Sequence, residues 1–90
     1  MPTYTPPTRD MQFVLHEMLN VEAAFKELPQ HGDLDIDMIN QIIEEAGKFC
    51  ADIIFPLNQS GDEQGCTRHE DGSVTTPEGF KEAYRQYIEA

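Results

Sequence analysis

Apolar residues recur along this chain three and four positions apart, the spacing of a helix face. The longest such series is Ile36, Ile39, Ile43, Ala46, Cys50, Ile53 and Leu57, widened by Ile42, Phe49 and Ile54. It predicts one long helix over residues 35–55 with a broad buried face. Pro56 lacks the N–H that would bond the carbonyl of Asp52, so that helix should kink or end there. Gly47 lies inside it, where glycine costs about 1 kcal/mol against alanine. Tolerance is one reading of Gly47; close approach of another helix is the other.

Shorter series flank the long one. Pro2, Pro6 and Pro7 keep the first seven residues extended. Thr8 is a candidate cap with Asp10 in the first turn, and Met11, Val14, Leu15 and Met18 predict a helix over 9–19. Asn20 should stop it and cap the next, over 21–28, with Val21, Ala24, Phe25 and Leu28 on one face and Pro29 at its end. Asn58–Gln64 reads as polar loop. Asp71-Gly72 is a two-residue hairpin signal between Cys66-Thr67-Arg68 and Val74-Thr75. Thr76 as cap and Pro77 at the first position open a last helix over 77–89, whose buried stripe is Phe80, Ala83, Tyr84, Tyr87 and Ile88. The expected fold is all-α: a small bundle of two short helices, one long helix and one carboxy-terminal helix, with a minor β-hairpin. The last helix stops at Ala90 without glycine, cap or basic final turn, as if cut, and a fragment is expected.

Composition narrows the function. Of 90 residues, 17 are acidic and 6 basic, a net charge of −11. Nucleic-acid binding needs clustered Lys and Arg, so it is excluded from the expectation. The same sign disfavours a surface that captures the anionic tail of coenzyme A. No apolar run reaches the ~20 residues of a membrane helix, and no signal peptide is visible. Cys50 and Cys66 form no disulfide framework. A soluble cytoplasmic protein with free thiols is the expectation.

Each candidate site has a plainer reading. Asp33, Asp35 and Asp37 with Glu44 imitate a calcium loop, but Met38 stands where glycine must turn the chain. Capping of the long helix is the plainer reading. Cys66 and His69, with Cys50 and His31, lack the second tight pair of a zinc site. Cys50 reads as a small core residue. His16 beside Glu17 offers a proton shuttle or, more simply, a contact between helices. Small size and acidity suggest an acyl carrier protein, but Ser60 and Ser73 lack its Asp-Ser-Leu setting. No set of residues makes a complete active site, so no catalytic, cofactor-binding or metal residue is assigned.

Three segments carry a resemblance. They are Leu15-His16-Glu17-Met18-Leu19; Glu44-Glu45-Ala46-Gly47-Lys48-Phe49-Cys50 leading to Pro56-Leu57-Asn58-Gln59-Ser60-Gly61-Asp62; and Gly65-Cys66-Thr67-Arg68, Asp71-Gly72-Ser73-Val74-Thr75-Thr76-Pro77 and Gly79-Phe80-Lys81-Glu82-Ala83-Tyr84. In this order they resemble the start of the long bacterial acyl-CoA dehydrogenases, the group that includes methylthiopropanoyl-CoA dehydrogenases. The resemblance implies residues 1–34 as an amino-terminal extension and 35–90 as the truncated start of the family's helical domain. For the parent it implies FAD, α,β-dehydrogenation of an acyl-CoA, and an electron-transfer flavoprotein as electron acceptor. The flavin-contacting segments and the catalytic glutamate fall outside this chain, and Glu44, Glu45, Glu78 and Glu82 are given no such role. The long helix and the last one would pack against each other and against later helices. The competing class is an independent acidic helical interaction module. Without later helices, apolar faces would stay open, and self-association as a dimer is expected.

Overall fold

The computed structural model describes residues 3–90; Met1 and Pro2 of the expected extended tail lie outside the described residues. The chain divides into two compact units, Met1–Lys48 and Phe49–Ala90. The architecture is all-α with one small antiparallel hairpin, as the periodicity predicted. Among the described residues no helix is long and apolar enough to cross a membrane.

In the first unit, α1 spans Thr8–Gln12 and continues as a π-helical turn, Phe13–Met18. Thr8 is not its cap. It lies inside the first turn, Pro7 holds the cap position, and no side chain bonds a free N–H there. Asn20 does stand between the helices, in the left-handed conformation (φ 48) that asparagine tolerates. α2 follows as Val21–Lys26, and its end tightens through Leu28 N–H donating to Phe25 O at 3.0 Å. Consecutive turns through His31 and Leu34 lead to α3, Ile36–Phe49.

The start of α3 is held from two directions. Asp35 Oδ1 accepts from Met38 N–H at 2.8 Å, and Glu22 Oε2 accepts from Ile36 N–H at 2.8 Å. Both oxygens satisfy N–H groups that a helix start leaves open. Ile39, 7% exposed, is the buried apolar centre among the described residues. Gly47 is buried, and the reason is close approach, though not by a helix. A β-carbon there would lie 3.0 Å from Pro6 Cβ, so the extended segment before α1 occupies that space.

In the second unit the backbone leaves α3 as a π-helical turn, Cys50–Ile54, then a 3-10 turn, Phe55–Leu57, around Pro56. The helical path changes geometry at Pro56, as its missing N–H requires, but does not end. Asn58–Gln64, expected as polar loop, is helix α4. Its composition is poor for a helix, and tertiary contacts supply what propensity lacks. Gly61 is buried under the Phe80 ring, and Gln64 Oε1 accepts from Glu78 N–H at 2.9 Å. Gly65 (φ 65) then turns the chain.

Strands β1, Thr67–Arg68, and β2, Val74–Thr75, pair with Thr67 opposite Thr75 and Arg68 opposite Val74. Their connection is longer than the two-residue turn expected from Asp71-Gly72. Gly72 N–H donates to His69 O and His69 N–H to Ser73 O, leaving Glu70, Asp71 and Gly72 as a three-residue loop with Gly72 at φ 89.

The last helix, α5, is Phe80–Glu89 and starts three residues later than Thr76-Pro77 implied. Pro77 is instead buried in a turn closed by Phe80 N–H donating to Pro77 O at 3.2 Å. Gly79, at φ 91 and ψ −17, takes the positive-φ position that a type II turn demands. The stripe expected to be buried on α5 is largely open: Tyr84, Tyr87 and Ile88 are 65%, 64% and 62% exposed.

Candidate functional site: an aromatic groove in the second unit

The second unit contains an open apolar groove of about 420 Å³. Phe49, Ile54, Leu57 and Asn58 line it from the α3–α4 path, and Phe80, Ala83, Tyr84 and Tyr87 from α5. Local chain geometry makes these two walls. Pro56 draws the backbone into the 3-10 turn that carries Leu57, and Gly79 starts α5 against it: a β-carbon on Gly79 would lie 2.7 Å from Leu57 Cδ2. Within the groove the rings form a chain. Phe49 and Tyr87 have centroids 6.1 Å apart and tilted by 53°, and Tyr87 stacks on Tyr84 at 6.4 Å. Such pairs add about 0.5–1.5 kcal/mol each beyond the area they bury.

The charged side of α5 is tied along the helix. Arg85 reaches Glu82 one way and Glu89 the other, the latter at 2.7 Å. Hydrogen bonding from Arg85, then from Gln86, lowers the Glu82 carboxyl to about 2. The Arg85 guanidinium is raised above its ordinary value, chiefly by its bond to Glu82 and next by that to Glu89. In the hairpin, Ser73 donates to Asp71 Oδ1 from Oγ at 2.6 Å and from N–H at 2.9 Å, and these bonds lower Asp71.

The candidates read from sequence fall as follows. The aspartate run is the start of α3, and helix passes through the residues a calcium loop would need; Asp35 caps it. Among the described residues, no three His, Cys, Asp or Glu side chains gather as a metal site. His69 Nε2 lies 2.6 Å from Thr75 Oγ1 across the hairpin, Cys66 is exposed, Cys50 is half-buried, and His31 packs beside the Phe25 ring. His16 makes the contact between helices: its Nε2 lies 2.6 Å from Asn40 Oδ1 on α3, while its buried Nδ1 has no partner. Glu17 stays exposed. Ser60 Oγ donates to Leu57 O at 3.4 Å.

The groove itself was not anticipated as a site. Ile54, Leu57, Phe80 and Tyr84 belong to the apolar stripes of the sequence, and Ile54, Phe80 and Tyr84 stay open, as expected where later helices are missing. Asn58, which the proline and the polar run mark as loop, is the first residue of α4. The available signal was the apolar spacing that continues through Pro56 to Leu57.

No protein-family model matches the chain. Over 87 residues it is 37% identical to the 3-methylmercaptopropionyl-CoA dehydrogenase of Ruegeria pomeroyi, which covers 97% of this chain and 14% of that protein. Over 89 residues it is 30% identical to the butyryl-CoA dehydrogenase of Syntrophomonas wolfei, covering 97% of this chain and 15% of that protein. Along nearly its whole length the chain is thus similar to two acyl-CoA dehydrogenases, and it spans only 14–15% of the length of these relatives.

Proposed function

We propose that the chain is a non-catalytic helical segment from the amino-terminal region of a flavin-dependent acyl-CoA dehydrogenase. The observation that carries this reading is a similarity along 97% of the chain to only 14–15% of two such enzymes. In this reading residues 1–34 are an extension and 35–90 the start of the helical domain. The parent desaturates an acyl-CoA at its α,β-bond, holds FAD and passes electrons to an electron-transfer flavoprotein in the cytoplasm.

The role of these residues is packing. The aromatic groove presents apolar surface that the remainder of the parent chain covers. Its walls do not fit flavin. Asn58 is the one amide among its lining side chains, and no cation lines it to meet a dinucleotide's pyrophosphate. The glutamates do not supply a base either: Glu45 pairs with Lys48 at 3.1 Å, and Glu82 is held ionised by Arg85 on the open side of α5.

A second reading, an independent acidic helical interaction module, is favoured by the net charge of −11 together with the open groove. Sequencing the transcript past the Ala90 codon separates the two. In-frame continuation into a flavin-binding region is expected; a stop codon directly after Ala90 leaves the module.

A further inference from the structure

We infer that Asp71-Gly72 is a self-modification site, where the hairpin loop isomerises to isoaspartate at a rate that Ser73 sets. The inference is independent of the packing role in the parent. Of all the aspartates in the chain, Asp71 alone precedes glycine. That order matters because the backbone nitrogen of the next residue attacks the side-chain carboxyl carbon. A side chain on that next residue would crowd the approach, and glycine has none. The space where a β-carbon on Gly72 would stand is empty to 4 Å, and Asp71 and Gly72 are both exposed to water.

The step balances without a co-reactant other than water. Gly72 N bonds to Asp71 Cγ, and the Cγ–O bond of the carboxylic acid breaks. The hydroxyl leaves as water with the Gly72 amide proton, and a five-membered succinimide remains. Water then adds back to one of its two carbonyls. Opening at the Asp71 main-chain carbonyl breaks that C–N bond and leaves the chain running through Cγ. The product is an isoaspartate of unchanged mass with one more carbon in the backbone.

The loop restrains both reacting groups. Ser73 donates to Asp71 Oδ1 from Oγ at 2.6 Å and from N–H at 2.9 Å. These two bonds hold the carboxyl below its usual range, and an ionised carboxylate lacks the hydroxyl that must leave. Gly72 N–H, the attacking group, is engaged in donating to His69 O at 3.0 Å. After isomerisation the loop carries an extra carbon between that bond and the one from His69 N–H to Ser73 O at 2.8 Å. The pairing of Thr67 with Thr75 behind it should then loosen.

Ageing the chain at neutral pH and resolving its tryptic peptides tests this. Peptide 69–81, cut after Arg68 and Lys81, is expected to split into aspartyl and isoaspartyl forms of equal mass before any other aspartate does so. Ser73→Ala should speed the split at least about threefold, as loss of one exposed hydrogen bond implies, with far-UV circular dichroism unchanged. In urea, where neither Ser73 bond persists, both sequences should isomerise faster than when folded and at the same rate. Absence of the isoaspartyl form from the folded chain overturns the site. Equal rates in folded wild type and Ser73→Ala, or a difference that persists in urea, overturn the role of Ser73.

Discussion

Leu57 closes over Gly79: a β-carbon at Gly79 would lie 2.7 Å from Leu57 Cδ2, and Gly79 itself sits at φ 91. Two separate costs therefore disfavour any other residue there. The positive φ costs an L-residue about 1–2 kcal/mol, and the overlap with Leu57 adds a packing cost of about 1–3 kcal/mol. Gly79→Ala is expected to destabilise the chain by about 2–5 kcal/mol in urea denaturation followed by circular dichroism. Gly72→Ala is the control, since Gly72 has φ 89 and open space around it, and it should carry the conformational cost alone. Equal losses in the two variants would show that Leu57 does not press on Gly79.

The aspartates at the start of α3 are not equivalent. Asp35 Oδ1 caps Met38 N–H, so Asp35→Ala should cost about 1 kcal/mol, and Asp35→Asn should recover most of it. Asp33→Ala should stay within about 0.5 kcal/mol, as surface changes do. Denaturation midpoints of the three variants check this; a loss at Asp33 as large as at Asp35 would contradict it.

His16 and Asn40 form a part-buried pair, and His16 Nδ1 already lacks a partner. Asn40→Leu would leave both ring nitrogens unmet and should cost about 1–3 kcal/mol. Replacing both partners, His16→Leu with Asn40→Leu, should recover part of that loss, because no polar atom is then stranded. A double-mutant cycle with no coupling would refute the pairing.

Acid should loosen α5 late. Glu82 falls from an ordinary 4.5 to about 2 through Arg85, so its contribution is complete above pH 4.5 and is lost as pH drops toward 2. The pair is exposed, so the effect is small and disappears in high salt. Circular dichroism from pH 5 to 1.5 should show that wild type and Glu82→Gln differ in helix content at pH 3 and converge near pH 1.5. Convergence already at pH 4 would contradict the Arg85 interaction.

Most of the helical plan was legible because burial imposes its own period. Ile36, Ile39 and Ile43 mark α3 whatever surrounds them, and Asn20 marks the break between α1 and α2. The misreadings share one cause, local chemistry overruled by distant contacts. Asn58–Gln64 has loop composition, yet the Phe80 ring on Gly61 and the Gln64–Glu78 bond belong to α4. Thr76-Pro77 resembles a helix start, but Gly79 needs the turn first, and its Pro77-Glu78-Gly79 order was the overlooked signal. Spacing alone marks Tyr84 and Tyr87 as one face and not what covers it; their openness is what the expectation of missing later helices implies.

The central claim is that these residues pack but do not catalyse. Its most direct test is to mix the purified 90-residue chain with FAD, butyryl-CoA and an artificial electron acceptor and to follow flavin absorbance. The account predicts no bleaching of the flavin and no reduction of the acceptor above a protein-free control. Bleaching that depends on both the chain and the acyl-CoA would contradict it.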